Sequence, residues 1–452
     1  MPITSIFRDK EYLHRLFVLA LPLILQQLIT YSVNLLDTMM IGSFGDTSLA
    51  AVNLVNQFYL LFSIMIFGTV SGGSVLNAQY WGKRDADHIH RVMGIQFLFG
   101  FSVGLFFLIF SQAFPHRILS FYSKDEDIIR AGTTYLRFIS AAFILFPAGQ
   151  FYSGAMRCTG NTRIPMYVSF VTLGCNVTLN YLLIFGKLGL PMLGLTGAAI
   201  ATVTARAVEA FLYILITYAR HLPTAAPLKK MMSFDRALVG LVIRKGLPVI
   251  GNEFFWALGS NVYTAIYASI STVSIAAYSA VSPIDYIAQS LFFGVGDACA
   301  VMIGNLLGAD EFEKAKRYAR HTLILSACTA FLIGIIMFGA RFRILGLYNL
   351  SAEAAALASR LIIAVAFTLW LRCTNYTLVI GILRPGGQAF YCFTRETLII
   401  WCGGIPLAWM LANYFHLPVY WVYFGNVYEE AVKMLFFLHM YRSGKWITDL
   451  VG

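Results

Sequence analysis

Twelve apolar runs, each near the length that crosses a bilayer, alternate with short polar segments along this chain. A span needs about 20 mostly apolar residues, because a helix rises ~1.5 Å per residue through hydrocarbon roughly 30 Å thick. The first six runs lie near residues 14–40, 50–77, 92–114, 132–155, 164–187 and 195–218. The second six lie near 239–268, 281–306, 320–340, 356–381, 396–415 and 417–440. Between the sets lies the longest polar stretch, 219–245, which contains LPTAAPLKK. The pattern predicts an all-α polytopic membrane protein of twelve transmembrane helices in two pseudo-symmetric six-helix lobes. Residues 1–218 form the expected N-lobe, 219–237 a cytoplasmic linker and 238–452 the C-lobe.

The two sets of runs read as copies. A displacement of 226 residues pairs Pro22 with Pro248, and Ser48, Ala50 and Ala51 with Ser274, Ala276 and Ala277. It also pairs Gly68 with Gly294, Gly82 with Gly308 and Arg91 with Arg317; at 227, Arg157 pairs with Arg384 and Gly160 with Gly387. Six helices per copy is an even number, so both copies face the same way, with their pseudo-twofold axis along the membrane normal. Such repeats are a mark of secondary transporters that alternate access to a central cavity.

Composition agrees with lipid as the solvent. The chain is 58% hydrophobic and 12% charged, where a soluble domain carries about 25% charged residues. The formal net charge of +11 does not indicate a nucleic-acid partner, because the basic residues sit in short clusters between apolar runs. With the N-terminus inside, 22 Lys and Arg fall on the inner side and 8 on the outer, leaving Arg206, Arg372 and Lys433 within spans. By the positive-inside rule this predicts a multi-pass protein of the cell (cytoplasmic or inner) membrane with both termini cytoplasmic. The opening MPITSIFRDKEYLHR lacks a short apolar segment with a cleavage site, so the first helix is expected to stay uncleaved. Seven cysteines without a C-x-x-C read as packing residues rather than a disulfide or zinc framework.

Charges at bilayer depth are costly and tend to be functional. Asp37 lies late in the first run, with Asn34 three residues earlier on the same helix face and Pro22 permitting a bend. A carboxylate there could take up and release a cation, or make a structural hydrogen bond between helices. Glu253, five residues after Pro248, and Asp297 could converge in the second copy, or pair with Arg372 or backbone groups. Glu396 follows Arg395, so a surface ion pair and a cavity role stand side by side. Asp285 reads as a solvated residue near the outer end of its span. Glu429 and Glu430 lie at helical spacing from Lys433, and an internal salt bridge is the simpler reading. Arg206 and Arg372 read as structural cations, each satisfying an acid or a carbonyl.

Asn176 and Asn180 are four residues apart on one helix face and could ligate Na+ or bond a neighbouring helix. Mid-span Tyr31, Trp256, Tyr278 and Trp370 are candidates to line a cavity, where aromatic faces attract organic cations by roughly 0.5–2 kcal/mol each. No G-x-x-x-x-G-K-[ST], H-E-x-x-H or G-x-S-x-G occurs. No enzyme activity and no cofactor are expected, and transport would draw on an ion gradient or run passively.

The chain resembles the multidrug and toxic compound extrusion (MATE) family over essentially its whole length. The resemblance rests on ALPLILQQLITYSVNLLDTMMIGSFGDTSLAAV, SGGSVLNAQYWGKRD, AMRCTGNTRIP, GVGDACAVMIGNLLGAD, GILRPGGQ and YRSGKW, in order. It implies twelve helices in two lobes and export of drug-like, often cationic compounds driven by inward Na+ or H+. It further implies that Asp37 is the N-lobe cation or proton site, joined by Asn176, Asn180 and Thr202. Several relatives carry Asp at the position of Asn180, and with one carboxylate fewer a Na+ site on Asp37, Asn176 and Asn180 is weaker and a protonic role gains ground. In the tenth helix, where some relatives have an acid, this chain has Arg372, Cys373, Thr374 and Asn375. That leaves Glu253, with Asp297, as the expected C-lobe coupling acid. Gln388 replaces an acid common after GG, while Glu396 matches an acidic family position.

The expectation is a secondary active antiporter exporting amphipathic organic cations in exchange for H+ or Na+, a multidrug efflux protein working as a monomer. Its possible substrate cavity includes Tyr31, Trp256, Tyr278, Trp370, Arg206, Arg372 and Glu396. The alternative is a flippase or exporter of a specific lipid-linked or metabolite substrate, which would want a cluster of cavity arginines. A major facilitator transporter fits less well, because YWGKRDADHIHR is a poor match to that superfamily's loop signature. A receptor or channel is disfavoured by the tandem repeat.

Overall fold

Every predicted run is helical in the computed structural model, which describes residues 4–346, 348 and 350–451, and no strand occurs among the described residues. The first copy comprises α1 (Lys10–Gly42), α2 (Asp46–Gly82), α3 (Ala86–Ala113), α4, α5 (Arg163–Phe185) and α6 (Gly194–Ala219). Helix α4 consists of Glu126–Ile139 and Ala142–Cys158, bent by 51° at the break. The second copy comprises α7 (Arg236–Ile270), α8 (Thr272–Gly308), α9 (Phe312–Leu345), α10 (Ala352–Leu383), α11 and α12 (Phe424–Arg442). Helix α11 runs as Ala389–Ile399, a π-helical turn Ile400–Gly404, and Ile405–Asn413.

Eight of these helices are long and apolar enough to cross a membrane, and the bent α4 makes nine. The other three are α7, which carries Asn252, Glu253 and Asn261; α11, which is broken by its π turn; and α12, which carries Glu429, Glu430 and Lys433. The apolar stretch of α9 is only 28% buried, and side chains such as Phe331, Leu332, Ile335 and Ile336 point outward. In water such a surface would aggregate; in lipid it is solvated.

The repeat seen in the sequence is a repeat of helix starts. Helices begin at 10, 46, 86, 126 and 163, and again at 236, 272, 312, 352 and 389, a constant displacement of 226. The one-residue slip at Arg157/Arg384 falls where α10 widens into a π-helix, Thr377–Leu383. Closing i→i+5 instead of i→i+4 takes one additional residue into the helix.

Packing divides the chain differently from the linker. One compact unit contains Met1–Ile24 with Gly251–Gly452, and the other Leu25–Ile250. The copies therefore exchange their openings: the start of α1 packs in the C-terminal unit and the start of α7 in the N-terminal unit. Each division lies two residues beyond a proline, Pro22 or Pro248, and the two division points are again 226 apart. Gly68 and Gly294 show why the repeat keeps glycine. A Cβ on Gly68 would stand 2.7 Å from Ile250 Cα, and one on Gly294 would stand 2.7 Å from Ile24 N. In each unit α2 or α8 is thus pressed against the exchanged segment at the same repeat position.

The segment between the copies is docked rather than free. In the N-terminal unit His90 Nε2 lies 2.8 Å from the Pro223 carbonyl, and Lys230 Nζ lies 2.6 Å from Asp87 on α3. Thr224, Ala226 and Met231 are buried. The core of that unit is a cluster of rings from α2, α3 and α4, centred on Phe62 and Phe143 at 4.7 Å.

Substituting Gly294 by Val should lower stability by about 1–3 kcal/mol, the usual cost of overpacking a close contact. A fall in the melting temperature of the detergent-solubilised protein would show it. An unchanged value would mean that α8 can move away from α1 without cost.

Candidate functional site

In the N-terminal unit, α1 presents Asp37 to α5. Asn180 donates from Nδ2 to Asp37 Oδ1 at 2.5 Å and to Asn176 Oδ1 at 3.2 Å. The two asparagines are one turn apart on α5, so one face of that helix meets the carboxylate. Both are buried, Asn176 at 3% and Asn180 at 1% exposure, while Asn180 Oδ1 has no hydrogen-bond partner. The carboxamide orientation follows from chemistry, since an ionised carboxylate only accepts.

The structure gathers Asp37, Asn176 and Asn180, and leaves their predicted companions apart. Asn34 is exposed, and Thr202 is half-buried on α6; neither side chain hydrogen-bonds among the described residues. Tyr31 is half-buried on α1. Arg206 binds Glu209 one turn along α6 at 2.7 Å and lies over the Phe146 ring at 5.0 Å. Glu209, 6% exposed, was not singled out from the sequence, though its spacing of three from Arg206 in TARAVEA was the available signal.

The C-terminal unit holds more charge. Arg372 on α10 grips Asp285 on α8 with two bonds, of 2.6 and 2.7 Å. This corrects the reading of Asp285 as solvated, and it removes Arg372 as a partner for Glu253 or Asp297. Glu253 instead pairs with Arg384 at 2.9 Å, and Arg384 is 3% exposed although its position after an apolar run reads as a loop. Asp297 accepts from the Tyr376 hydroxyl at 3.3 Å. Tyr278 lies against Tyr267 in a tilted arrangement, with ring centroids 4.9 Å apart, and packs with Trp370 against the core; Trp256 is half exposed.

Of the two readings given for Glu396, a surface ion pair and a cavity role, the structure excludes the first. Glu396 forms no surface pair with Arg395, whose guanidinium lies over Tyr391 and Phe436. Its carboxylate turns inward to Lys433 Nζ at 3.3 Å and Asn252 Nδ2 at 2.8 Å. Lys433, 1% exposed, also binds Glu429 and Glu430 on its own helix, as the spacing predicted. Tyr263 donates to Glu429 at 2.6 Å and Asn375 to Glu430 at 2.7 Å. Sequence reading missed Asn252 and Tyr263 on α7 and Asn375 on α10 here, because neutral donors on helices other than that of Lys433 leave no spacing to it to read.

Residues 22–182 and 248–388 match the family model MatE. The matched segments begin at Pro22 and Pro248, so the model recognises each copy once. This chain belongs to the MatE family, the one its motifs resemble. Among curated relatives, the Bacillus subtilis protein named probable multidrug resistance protein YoeA is 26% identical, covering 95% of this chain and 94% of its own. The Agrobacterium fabrum protein named probable multidrug resistance protein NorM is 30% identical, covering 87% and 86%. Among solved structures, the Vibrio cholerae MATE transporter VcmN in the bent form superposes with a TM-score of 0.86 at 19% identity, covering 97% of this chain and 99% of its own. A MATE crystal structure in the bent conformation gives 0.86 at 17% identity, covering 98% of each. The MatE fold of this chain is therefore that of a multi-pass membrane protein with twelve helices in two lobes.

The Arg372–Asp285 pair should be structural. Breaking a buried pair from one side costs on the order of 3–5 kcal/mol, so Asp285→Asn should markedly lower the melting temperature. The double variant Asp285→Leu with Arg372→Met should recover most of the loss, and wild-type melting of the single variant would refute the assignment.

Proposed function

We propose that this MatE protein is a secondary active antiporter of the cell membrane, with both termini cytoplasmic, that exports amphipathic organic cations in exchange for protons. The observation that carries the reading is the Asp37–Asn180–Asn176 cluster. A carboxylate inside a span is a loading site by default, and this one has a single amide group as its direct polar neighbour. Both amide hydrogens of Asn180 point at the oxygens a Na+ ion would need, Asp37 Oδ1 and Asn176 Oδ1. A proton needs only one of them, which favours H+ over Na+. The names of the relatives, multidrug resistance proteins, support small organic substrates.

The alternative of a flippase for an anionic lipid-linked substrate is weakened by the pairing of both candidate arginines, Arg206 with Glu209 and Arg372 with Asp285. An anion would have to displace a carboxylate from each. The energetics of a one-carboxylate cycle suffice. One proton exchanged for one monovalent cation moves no net charge, so the pH difference supplies the drive, about 1.4 kcal/mol or a tenfold substrate gradient per pH unit.

Reconstituted in liposomes, the protein should move a fluorescent organic cation in response to an imposed pH gradient. Asp37→Asn should abolish that response with expression and melting intact. Full coupled transport by the variant would overturn the role of Asp37, and a response to a Na+ gradient alone would overturn the choice of ion.

A further inference from the structure

The cluster around Lys433 has a donor for every carboxylate oxygen. Lys433 Nζ reaches Glu396 Oε1, Glu429 Oε1 and Glu430 Oε1. The remaining oxygens, Oε2 of each, accept from Asn252, Tyr263 and Asn375. Three carboxylates thus share one ammonium. Arg384, the next cation, is already paired with Glu253, and Tyr267, Cys373 and Cys392 bring no further positive charge. Among the described residues, this buried group carries a surplus of negative charge, which in a low-dielectric interior calls for a proton.

Two atoms indicate where it goes. The side-chain carbonyls of Asn252 and Asn375 are buried without a hydrogen-bond partner, in residues each 4% exposed. A buried acceptor left empty is uncommon and calls for a donor. A carboxamide facing a carboxylate can serve both protonation states: it donates N–H to the ionised form and, turned over, accepts O–H from the protonated form. Asn375 is held against turning, because its amide also donates to the Glu430 backbone carbonyl at 2.8 Å. The Asn252 amide makes only the bond to Glu396. The Glu396 and Glu430 side chains keep 14% and 13% exposure, against 4% for Glu429, so a proton can reach either, and the fixed Asn375 amide leaves Glu430 without an acceptor for it.

We propose that Glu396 and Asn252 form a proton-carrying pair at the edge of the Lys433 cluster. Ionised, Glu396 accepts from Asn252 and Lys433; protonated, its O–H donates to the Asn252 carbonyl while Lys433 stays on Glu429 and Glu430. A metal cation fits less well, since it would have to displace donors from several oxygens at once. The site rests on the antiport reading for its use but not for its chemistry. Glu396 and Lys433 lie in α11 and α12, beyond residue 388, where the match to the family model ends, while Asn252 lies on α7 within the matched segment.

The test is infrared difference spectroscopy of the full chain in lipid bilayers, between acidic and alkaline pH. An Asp37→Asn background silences the carboxyl on α1. A protonated-carboxyl band should appear, vanish in Glu396→Gln and persist in Glu430→Gln. In Asn252→Leu the band should change frequency, because the O–H has lost its acceptor. Survival of the band in Glu396→Gln, an unchanged frequency in Asn252→Leu, or removal of the band by Na+ at constant pH would each overturn the pair. The measurement needs no transport, so an inactive protein would still decide it.

Discussion

A charge inside hydrocarbon must have a partner, and in this protein that requirement decides which helices are tied together. Arg372 and Asp285 fasten α10 to α8. Glu253 and Arg384 fasten α7 to the segment after α10. Lys433 gathers α11 and α12, and the neutral donors around it add α7 and α10. The C-terminal unit is therefore cross-linked by ions. In the N-terminal unit the Arg206–Glu209 pair closes within α6, and Asp37 with Asn180 forms the charged tie from α1 to α5, beside a neutral one from Gln26 to Ser169. Aromatic packing does the rest there. Neutralising Asp37 removes the charge from that tie, while no single protonation releases the C-terminal network.

The fold was legible because its two signals are long. Twelve apolar runs and a displacement of 226 survive errors of several residues in any boundary. The site was legible in part, and the difference is physical. Asp37, Asn176 and Asn180 were found because a lone acid stands out in an apolar run and two amides share a helical spacing. Lys433 with Glu429 and Glu430 was found for the same reason. Pairings across helices were misread or left open: Asp285 as solvated, Arg384 as a loop residue, Glu396 between a surface pair with Arg395 and a cavity role. Such pairs depend on which helices are neighbours, and hydropathy carries no information about that.

The one-residue slip in the repeat illustrates the converse, where structure explains a detail the sequence only records. Helix α10 takes up the additional residue as a π segment, and α11 has a second π turn four residues after Glu396. The corresponding positions of the first copy lie in α4 and α5, which continue as ordinary helix. Departures from α-helical geometry cost backbone hydrogen-bond quality and persist where the surroundings hold them. Here they adjoin Arg384, the residue just after α10 that pairs with Glu253, and Glu396, the α11 carboxylate that meets Lys433. The copies share an architecture, and the second has been reshaped around its charges.

The exchange of openings between the copies gives this arrangement a mechanical consequence. Coupling an ion to a distant event requires a physical element that both units share. Helices α1 and α7 are such elements, because each is continuous in the chain while its first residues pack in one unit and the remainder in the other. Each carries its proline just before the crossing, where the missing backbone hydrogen bond makes bending least costly. Beyond the crossing, α1 bears Asp37 and α7 bears Asn252 and Glu253. Asp37 and Asn252 thus stand on helices whose first residues belong to the other unit. Were the copies packed as they are divided in sequence, neither helix would cross, and the linker 219–237 would be the covalent connection between the units.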